Sequence, residues 1–270
     1  MITFAKAHAY GNDFLYVKHA DVPGIDEPEL AREMCQRNTG IGADGLIFYT
    51  PTPTGAQMRL WNSDGSRAEV SGNGVRALGA LLGLSVPEGM LQLTIQTEGG
   101  IKQLVRLERD GARQLFRAAM GLPAGMHRRL LDVAGEPLDV VVLNIGNPQA
   151  LVLVDDLPND ERFNRLGAAL EWHEAFPEGT NVEFVQVVSP EEVRIRIWER
   201  GCGPTMSSGT GSCASLIAAA AFGGAARDAQ VVAPGGTQRV EWTTDSVYLT
   251  GWAEVLCEGQ WLRPLPAKAG

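Results

Sequence analysis

Two stretches of this chain, 137 positions apart, are written to one template. Ser71-Gly72-Asn73-Gly74-Val75-Arg76-Ala77 is matched by Ser208-Gly209-Thr210-Gly211-Ser212-Cys213-Ala214, and each opens a run rich in alanine and leucine. The lead-ins match too, Met58-Arg59-Leu60-Trp61-Asn62 against Ile195-Arg196-Ile197-Trp198-Glu199. Fainter echoes keep nearly the same offset: Gly11-Asn12 with Gly146-Asn147, and Gly42-Ala43-Asp44 with Gly179-Thr180-Asn181. A repeat this long constrains architecture before local propensity does, because each copy must form an equivalent unit. Two half-molecules are expected, each presenting one Ser-Gly-x-Gly helix start. A site in a cleft between them would place a reactive group on either face of one substrate.

With 270 residues the chain can bury two separate cores. The break is expected near residues 117–122, giving halves 1–118 and 119–254, with 255–270 as a strand that returns to the first half. In the first half, strands are expected at Ile2–Ala7, Phe14–Val17, Leu46–Tyr49 and Met58–Trp61, with a turn from Pro51 to Gly55. A helix is expected from Glu27 to Asn38, because Pro28 suits a first turn and Thr39-Gly40 supplies a stop. The runs Val75–Leu84 and Ala214–Phe222 are apolar almost all round, which marks helices buried on every side. Alternating runs at Leu91–Thr97, Gln103–Leu107 and Gln114–Ala119 predict a returning antiparallel sheet.

The second half repeats this order: strands near Val140–Leu143, Ala150–Val154, Val182–Val187 and Val193–Trp198, and a helix at Phe163–Leu170. Gly223–Gly236 reads as loop, a hairpin follows at Gln238–Trp242 and Ser246–Leu249, and the tail from Lys268 is expected to fray. The fold class is therefore α/β of the α+β type: two pseudo-symmetric domains, each of mostly antiparallel strands wrapped around a central buried helix.

The charge of −9 is spread without long runs, which argues against a nucleic-acid surface or an anionic-membrane surface. The longest apolar run, Leu216–Phe222, is far too short for a membrane span. The N-terminal residues lack a signal-peptide core. The four cysteines (Cys35, Cys202, Cys213, Cys257) form no CxxC pair, so free thiols and a cytoplasmic location are expected. His8, His19, His127 and His173 are dispersed, so neither a metal site nor a cofactor is expected. Cys213 lies inside an apolar helix and reads as buried structural thiol.

A glycine loop that opens a helix aims several backbone N–H groups and the positive end of the helix dipole at one point. That suits a carboxylate or phosphate, although one such loop alone is equally a tight turn. Gly40-Ile41-Gly42-Ala43-Asp44-Gly45 matches GxGxxG in form but precedes a strand. Both Ser-Gly loops lack the acidic partner of a dinucleotide site. Glu199-Arg200, at a strand end, is either a solvated ion pair or an arginine poised for a carboxylate. Asn12, Asn62, Asn147 and Asn181 are common turn formers taken singly. Three of them, Asn12, Asn147 and Asn181, sit in the repeat echoes, and Asn62 ends the repeated lead-in.

Gly11-Asn12-Asp13-Phe14, Asn62-Ser63-Asp64-Gly65-Ser66, Gly72-Asn73-Gly74-Val75-Arg76, Gly146-Asn147-Pro148, Glu199-Arg200-Gly201 and Ser208-Gly209-Thr210-Gly211 together closely resemble the diaminopimelate epimerase family. The motifs come in the family's order and span nearly the whole chain. The resemblance implies two pseudo-symmetric halves, no cofactor, a small amino-acid substrate and conversion of LL- to meso-diaminopimelate. In that chemistry one cysteine thiolate removes the α-proton and a second cysteine returns it from the opposite face. The resemblance places substrate contacts at Asn12, Asn62, Asn147, Asn181, Glu199 and Arg200. It places the loops Gly72-Asn73 and Gly209-Thr210 at the reacting carbon's carboxylate. A homodimer is compatible with it.

Three positions depart from the family pattern. Both cysteines are serine, at Ser71 and Ser208, and the histidine after Gly-Asn-Pro is Gln149. A thiol is readily tuned to thiolate by a helix N-terminus, whereas serine reacts only beside a base that takes its proton. Three accounts stay open. Designed Cys→Ser changes explain the serines but not Gln149. A homologue with altered isomerase or lyase chemistry explains all three, with Ser71 and Ser208 as hydrogen-bond donors and Glu199 or another acid moving the proton. A catalytically silent amino-acid binder is the third.

Overall fold

The computed structural model describes residues 1–68 and 71–267, so the tail from Lys268 lies outside the described residues. The chain divides into two units, one of Met1–Ala118 with the chain from Trp252 onward, the other of Ala119–Gly251.

The first unit runs β1 (Ile2–Ala9), β2 (Asn12–Lys18), α1 (Glu27–Cys35), β3 (Gly45–Thr52), β4 (Gly55–Asn62), β5 (Arg67–Ala68), α2 (Gly72–Gly83), β6 (Leu91–Thr97), β7 (Gly100–Asp110) and β8 (Arg113–Gly121). The chain passes into the second unit within β8. There it forms β9 (Ala124–Val133), β10 (Glu136–Asn144), β11 (Pro148–Leu153), α3 (Asp160–Glu171), β12 (Asn181–Ser189), β13 (Glu192–Glu199), β14 (Gly203–Thr205), α4 (Gly209–Ala218), β15 (Asp228–Ala233), β16 (Gly236–Trp242) and β17 (Val247–Trp261). The final residues of β17 return to the first unit.

The repeat is visible in the ladders. β1 to β4 pair antiparallel, parallel, antiparallel, and β10 to β13 do the same. The next pairings, β4–β6 and β13–β15, are both parallel, and antiparallel hairpins follow each. A parallel pair needs a crossover element, and these are α1 and α2 in one unit, α3 and α4 in the other. In the first unit β17 pairs both β1 and β8, closing the strands into a barrel around α2.

The two axial helices are buried for a compositional reason. In α4 every residue from Gly211 to Ala218 is buried, and no side chain is larger than Leu216 or Ile217. Those two pack with Val193, Ile195, Ile197 and Val231 from the surrounding strands. Each such aliphatic side chain contributes roughly 1.5–3 kcal/mol on burial. α2 has the same character, with Val75, Ala77, Leu78 and Ala80 buried.

Four local expectations need correction. α1 ends at Cys35 rather than Asn38, because the Ile41 and Gly42 N–H groups both donate to Met34 O and the chain doubles back. Pro51 and Thr52 belong to β3, so the turn expected at Pro51–Gly55 narrows to Pro53-Thr54. α4 is followed by a π-helical turn at Ala219–Gly223, so the expected single helix to Phe222 changes pitch. Gly223–Gly236 contains β15, whose alternating Ala229, Val231 and Ala233 are buried. Its flanking Gly223-Gly224 and Pro234-Gly235-Gly236 had masked that alternation.

Candidate active site

The first half-site is built where β2, β4 and α2 end or begin. Gly11 has φ +86, a left-handed conformation that opens the turn into Asn12 at the start of β2. Asn12 Nδ2 donates to Asp44 Oδ2 at 2.8 Å, and Asn73 Nδ2 donates to Asn12 Oδ1 at 3.3 Å. Buried Arg76 donates to Asn73 Oδ1 at 3.3 Å and lies over the Tyr10 ring. Asn62 instead donates to Ser66 Oγ at 3.0 Å. Ser71 caps α2: its backbone is extended and its Oγ accepts the Gly74 N–H at 3.1 Å. Gly72, the first residue of α2, contributes backbone only.

The second half-site repeats this plan. Gly146 has φ +92, as Gly11 does, and leads into Asn147. Asn147 Nδ2 donates to Thr210 Oγ1 at 3.3 Å, and the Gln149 amide lies 2.7 Å from Asn147 Oδ1. Ser208 caps α4, its Oγ accepting the Gly211 N–H at 3.2 Å and lying 3.5 Å from Thr210 Oγ1. Gly209 starts the helix. Asn181 Nδ2 donates to Pro148 O at 3.0 Å, while its Oδ1 accepts the Arg200 N–H at 3.0 Å. The Arg200 guanidinium donates to Glu178 O at 2.9 Å. Glu199 ends β13.

Thus the structure joins Asn147, Gln149, Thr210 and Ser208 in one network, and Asn12 with Asn73 in another. Asn181 and Arg200 meet through the backbone of the turn. In both loops serine does the ordinary work of an N-cap, satisfying one orphan helix donor.

Two residues escaped the sequence reading. Asp44 accepts from Asn12, from the Asp13 N–H and from Arg37. It lay inside one of the repeat echoes. Glu183, on β12, is fully buried. Burial pushes its carboxyl well above the usual carboxylate range, and the charge of Glu199 pushes the same way. Its signal was a lone acid at an inward position of Val182-Glu183-Phe184-Val185.

The ladders make the two loops comparable position by position. Phe14 pairs with Gly45 and Gly45 with Asn62; Gln149 pairs with Asn181, one position before the Val182–Trp198 pair. Asn181 therefore corresponds to Gly45, one position along from the echo with Asp44, and Gln149 corresponds to Phe14. Glu183 corresponds to Ile47. A methyl group at Gly74 would meet Ile47 Cδ1 at 2.9 Å, and one at Gly211 would overlap Glu183 Oε1. One loop rests on hydrocarbon and the other on a carboxyl group.

The capping residue of each loop carries a hydroxyl, not a thiol. Cys35 is buried, and burial together with Asp13 and Asp44 pushes it up to about 12, far from thiolate at neutral pH. Cys213 is fully buried in α4, as its apolar setting predicted.

The diaminopimelate epimerase family model matches residues 4–123 and 141–256. The diaminopimelate epimerase of Desulforudis audaxviator is 40% identical, covering 96% of this chain and 99% of that protein. That of Desulfitobacterium hafniense is 38% identical over 94% of this chain. The chain belongs to the diaminopimelate epimerase family. Among solved structures, a probable proline racemase from Agrobacterium radiobacter superposes with a TM-score of 0.75 at 18% identity, covering 97% of this chain and 93% of that one. A hydroxyproline epimerase from Agrobacterium vitis gives 0.69 at 18%, covering 96% and 91%. These two share the fold, the two-domain α+β architecture expected from the repeat. The family assignment supports an amino-acid epimerase function.

Proposed function

We propose that the chain is a cofactor-independent amino-acid isomerase whose first candidate substrate is diaminopimelate, interconverted between its LL and meso forms. Ser71 and Ser208 stand at the two positions where the family carries cysteine, and Gln149 where it carries histidine. The observation that carries the reading is the matched state of the two serines. Each Oγ already accepts a helix N–H, from Gly74 or Gly211. Among the described residues, the side-chain hydrogen bonds of the two serines run to Gly74, Gly211 and Thr210, none of them a base. Such a hydroxyl donates a hydrogen bond well and loses its proton poorly. The serines therefore orient and stabilise, and a carboxyl group transfers the proton, with Glu199 as the first candidate. In the first unit Asn12 and Asn62, with the helix N–H groups of the Gly72-Asn73 loop, and in the second unit Asn147, Asn181 and Arg200, with those of the Gly209-Thr210 loop, are polar groups of the kind that an α-amino-carboxylate requires.

The same observation favours a second reading, an amino-acid binder without turnover. Incubation with LL-diaminopimelate followed by chiral separation discriminates them: appearance of the meso form supports the isomerase, and its absence despite binding supports the binder. Ser71→Cys with Ser208→Cys tests the cysteine positions. If activity is absent from that pair and from the triple variant adding Gln149→His, the divergence is deeper than two thiols.

A further inference from the structure

The Ser208 loop sits over a buried acid, Glu183, at the position that Ile47 holds beneath the Ser71 loop. Glu183 and Gln149 are both fully buried. One amide atom of Gln149 lies 3.1 Å from both Glu183 carboxyl oxygens, and the other lies 2.7 Å from Asn147 Oδ1 and 3.3 Å from Thr210 Oγ1. An amide presents a donor at one end and an acceptor at the other, so Glu183 decides which end faces it.

If Glu183 carries a proton, every contact is satisfied in one direction. Its O–H donates to Gln149 Oε1, Gln149 Nε2 to Asn147 Oδ1, Asn147 Nδ2 to Thr210 Oγ1, and the Thr210 hydroxyl to Ser208 Oγ. Ser208 then accepts from Thr210 and Gly211, and its own hydroxyl proton is free to point outward. If Glu183 is ionised, Gln149 must turn Nε2 toward it. Gln149 Oε1 then accepts, the Asn147 amide must reverse, and Thr210 donates inward. The Ser208 proton is drawn to Thr210. The direction of the whole chain is set at its buried end.

The surroundings favour the first arrangement. Around the Glu183 carboxyl lie the uncharged Gln149 from β11, 3.1 Å from both oxygens, the charge of Glu199 from β13, and Gly211 in the first turn of α4, which leaves no room for a methyl group beside Oε1. The positive end of the α4 dipole opposes this arrangement. α3 packs on the other face of β12, where the Phe163 and Phe184 rings lie 5.7 Å apart. The π-helical turn, Ala219–Gly223, carries no ionisable side chain. Burial and a like charge both favour the neutral acid.

We propose that Glu183 is a positioning residue of this half-site, a neutral buried acid that, through Gln149, Asn147 and Thr210, leaves the Ser208 hydroxyl proton available to donate to a bound ligand. The consequence for the ligand rests on the amino-acid reading given above; the hydrogen-bond direction does not. It also makes the two loops chemically unequal, since Ile47 and Phe14 give Ser71 no such control.

The test reads the carboxyl group and the amides directly. Infrared difference spectra of the wild-type chain against Glu183→Gln at neutral pH should show the carbonyl stretch of a protonated carboxylic acid. NMR of the side-chain NH2 groups should show the Gln149 and Asn147 signals displaced in Glu183→Leu, which removes the donor while keeping apolar bulk, and near wild-type in Glu183→Gln, whose amide can donate in place of the acid. Binding of meso-diaminopimelate should weaken about two- to tenfold in Glu183→Leu, the range of one neutral hydrogen bond, and recover in Glu183→Gln. Absence of the carboxylic-acid band at neutral pH overturns the proposal, as do Asn147 signals indifferent to Glu183→Leu. If no variant binds diaminopimelate, the amino-acid reading fails while the infrared and NMR signals still decide the role of Glu183.

Discussion

A methyl group placed at the third residue of each axial helix should have opposite consequences in the two halves. Gly74 and Gly211 hold equivalent positions, each donating its N–H to the capping serine. Alanine gains up to about 1 kcal/mol over glycine in a helix, less in its first turn. In Gly74→Ala the new methyl meets Ile47 Cδ1 at 2.9 Å and Ser71 Cβ at 3.3 Å. The end of a flexible aliphatic chain can turn aside, so overpacking near the lower end of its usual range, about 1 kcal/mol, is offset by propensity. The net change should lie within about 1 kcal/mol of zero. In Gly211→Ala the methyl overlaps Glu183 Oε1, which belongs to a fully buried carboxyl already held 3.1 Å from the fully buried Gln149 amide. Overpacking of about 1–3 kcal/mol then adds to about 1–3 kcal/mol for buried polar groups parted from each other. Less a propensity gain of up to about 1 kcal/mol, Gly211→Ala should cost about 1–5 kcal/mol. Urea denaturation followed by tryptophan fluorescence measures both, with an expected midpoint loss of roughly 0.5–2 M for Gly211→Ala alone. Equal losses in the two variants, or a neutral Gly211→Ala, would refute the claim that a carboxyl group fills the space beneath the second loop.

Three further outcomes follow from the same geometry. Ser71→Ala and Ser208→Ala each remove a helix cap and should each cost about 1 kcal/mol in denaturant titrations, so both variants must be shown folded before any activity is compared. Because the folded-state pKa of Glu183 is raised, its contribution to stability is complete below the unfolded value of about 4.3 and is lost as pH rises through the folded value. Glu183→Gln should therefore gain in melting temperature relative to wild type as the buffer goes from mildly acid to mildly alkaline, and a constant difference would contradict the buried neutral acid. Asn147→Ala breaks the path from Gln149 to Thr210 and should lower diaminopimelate affinity in calorimetry with little effect on folding; unchanged affinity would remove this network from the binding site.

Much of this was legible in the chain itself. The repeat around Ser71 and Ser208 pointed to paired helix starts, and the apolar runs after them identified the axial helices, because a helix without a polar face has nowhere to lie but inside. β15 was hidden since glycine and proline on both sides imitate a loop, and only pairing with β13 and β16 makes Asp228–Ala233 a strand. The end of α1 was misplaced because the carbonyl of Met34 is satisfied by Ile41 and Gly42, a tertiary closure without a local signature. Asn12, Asn73, Asn147 and Gln149 were singled out by motif order, and the structure links Asn12 to Asn73 and Gln149 to Asn147. Glu183 was not, because an acid in a strand reads as a solvent-facing residue until the ladder shows which face is covered.

The central claim is that this family member, with hydroxyls at Ser71 and Ser208, still moves the α-proton of an amino acid. The most direct measurement is proton NMR of diaminopimelate incubated with the chain in D₂O. Progressive loss of the α-proton signal, with binding confirmed by calorimetry, is the predicted result. An α-proton that persists unchanged in a ligand shown to bind would contradict it.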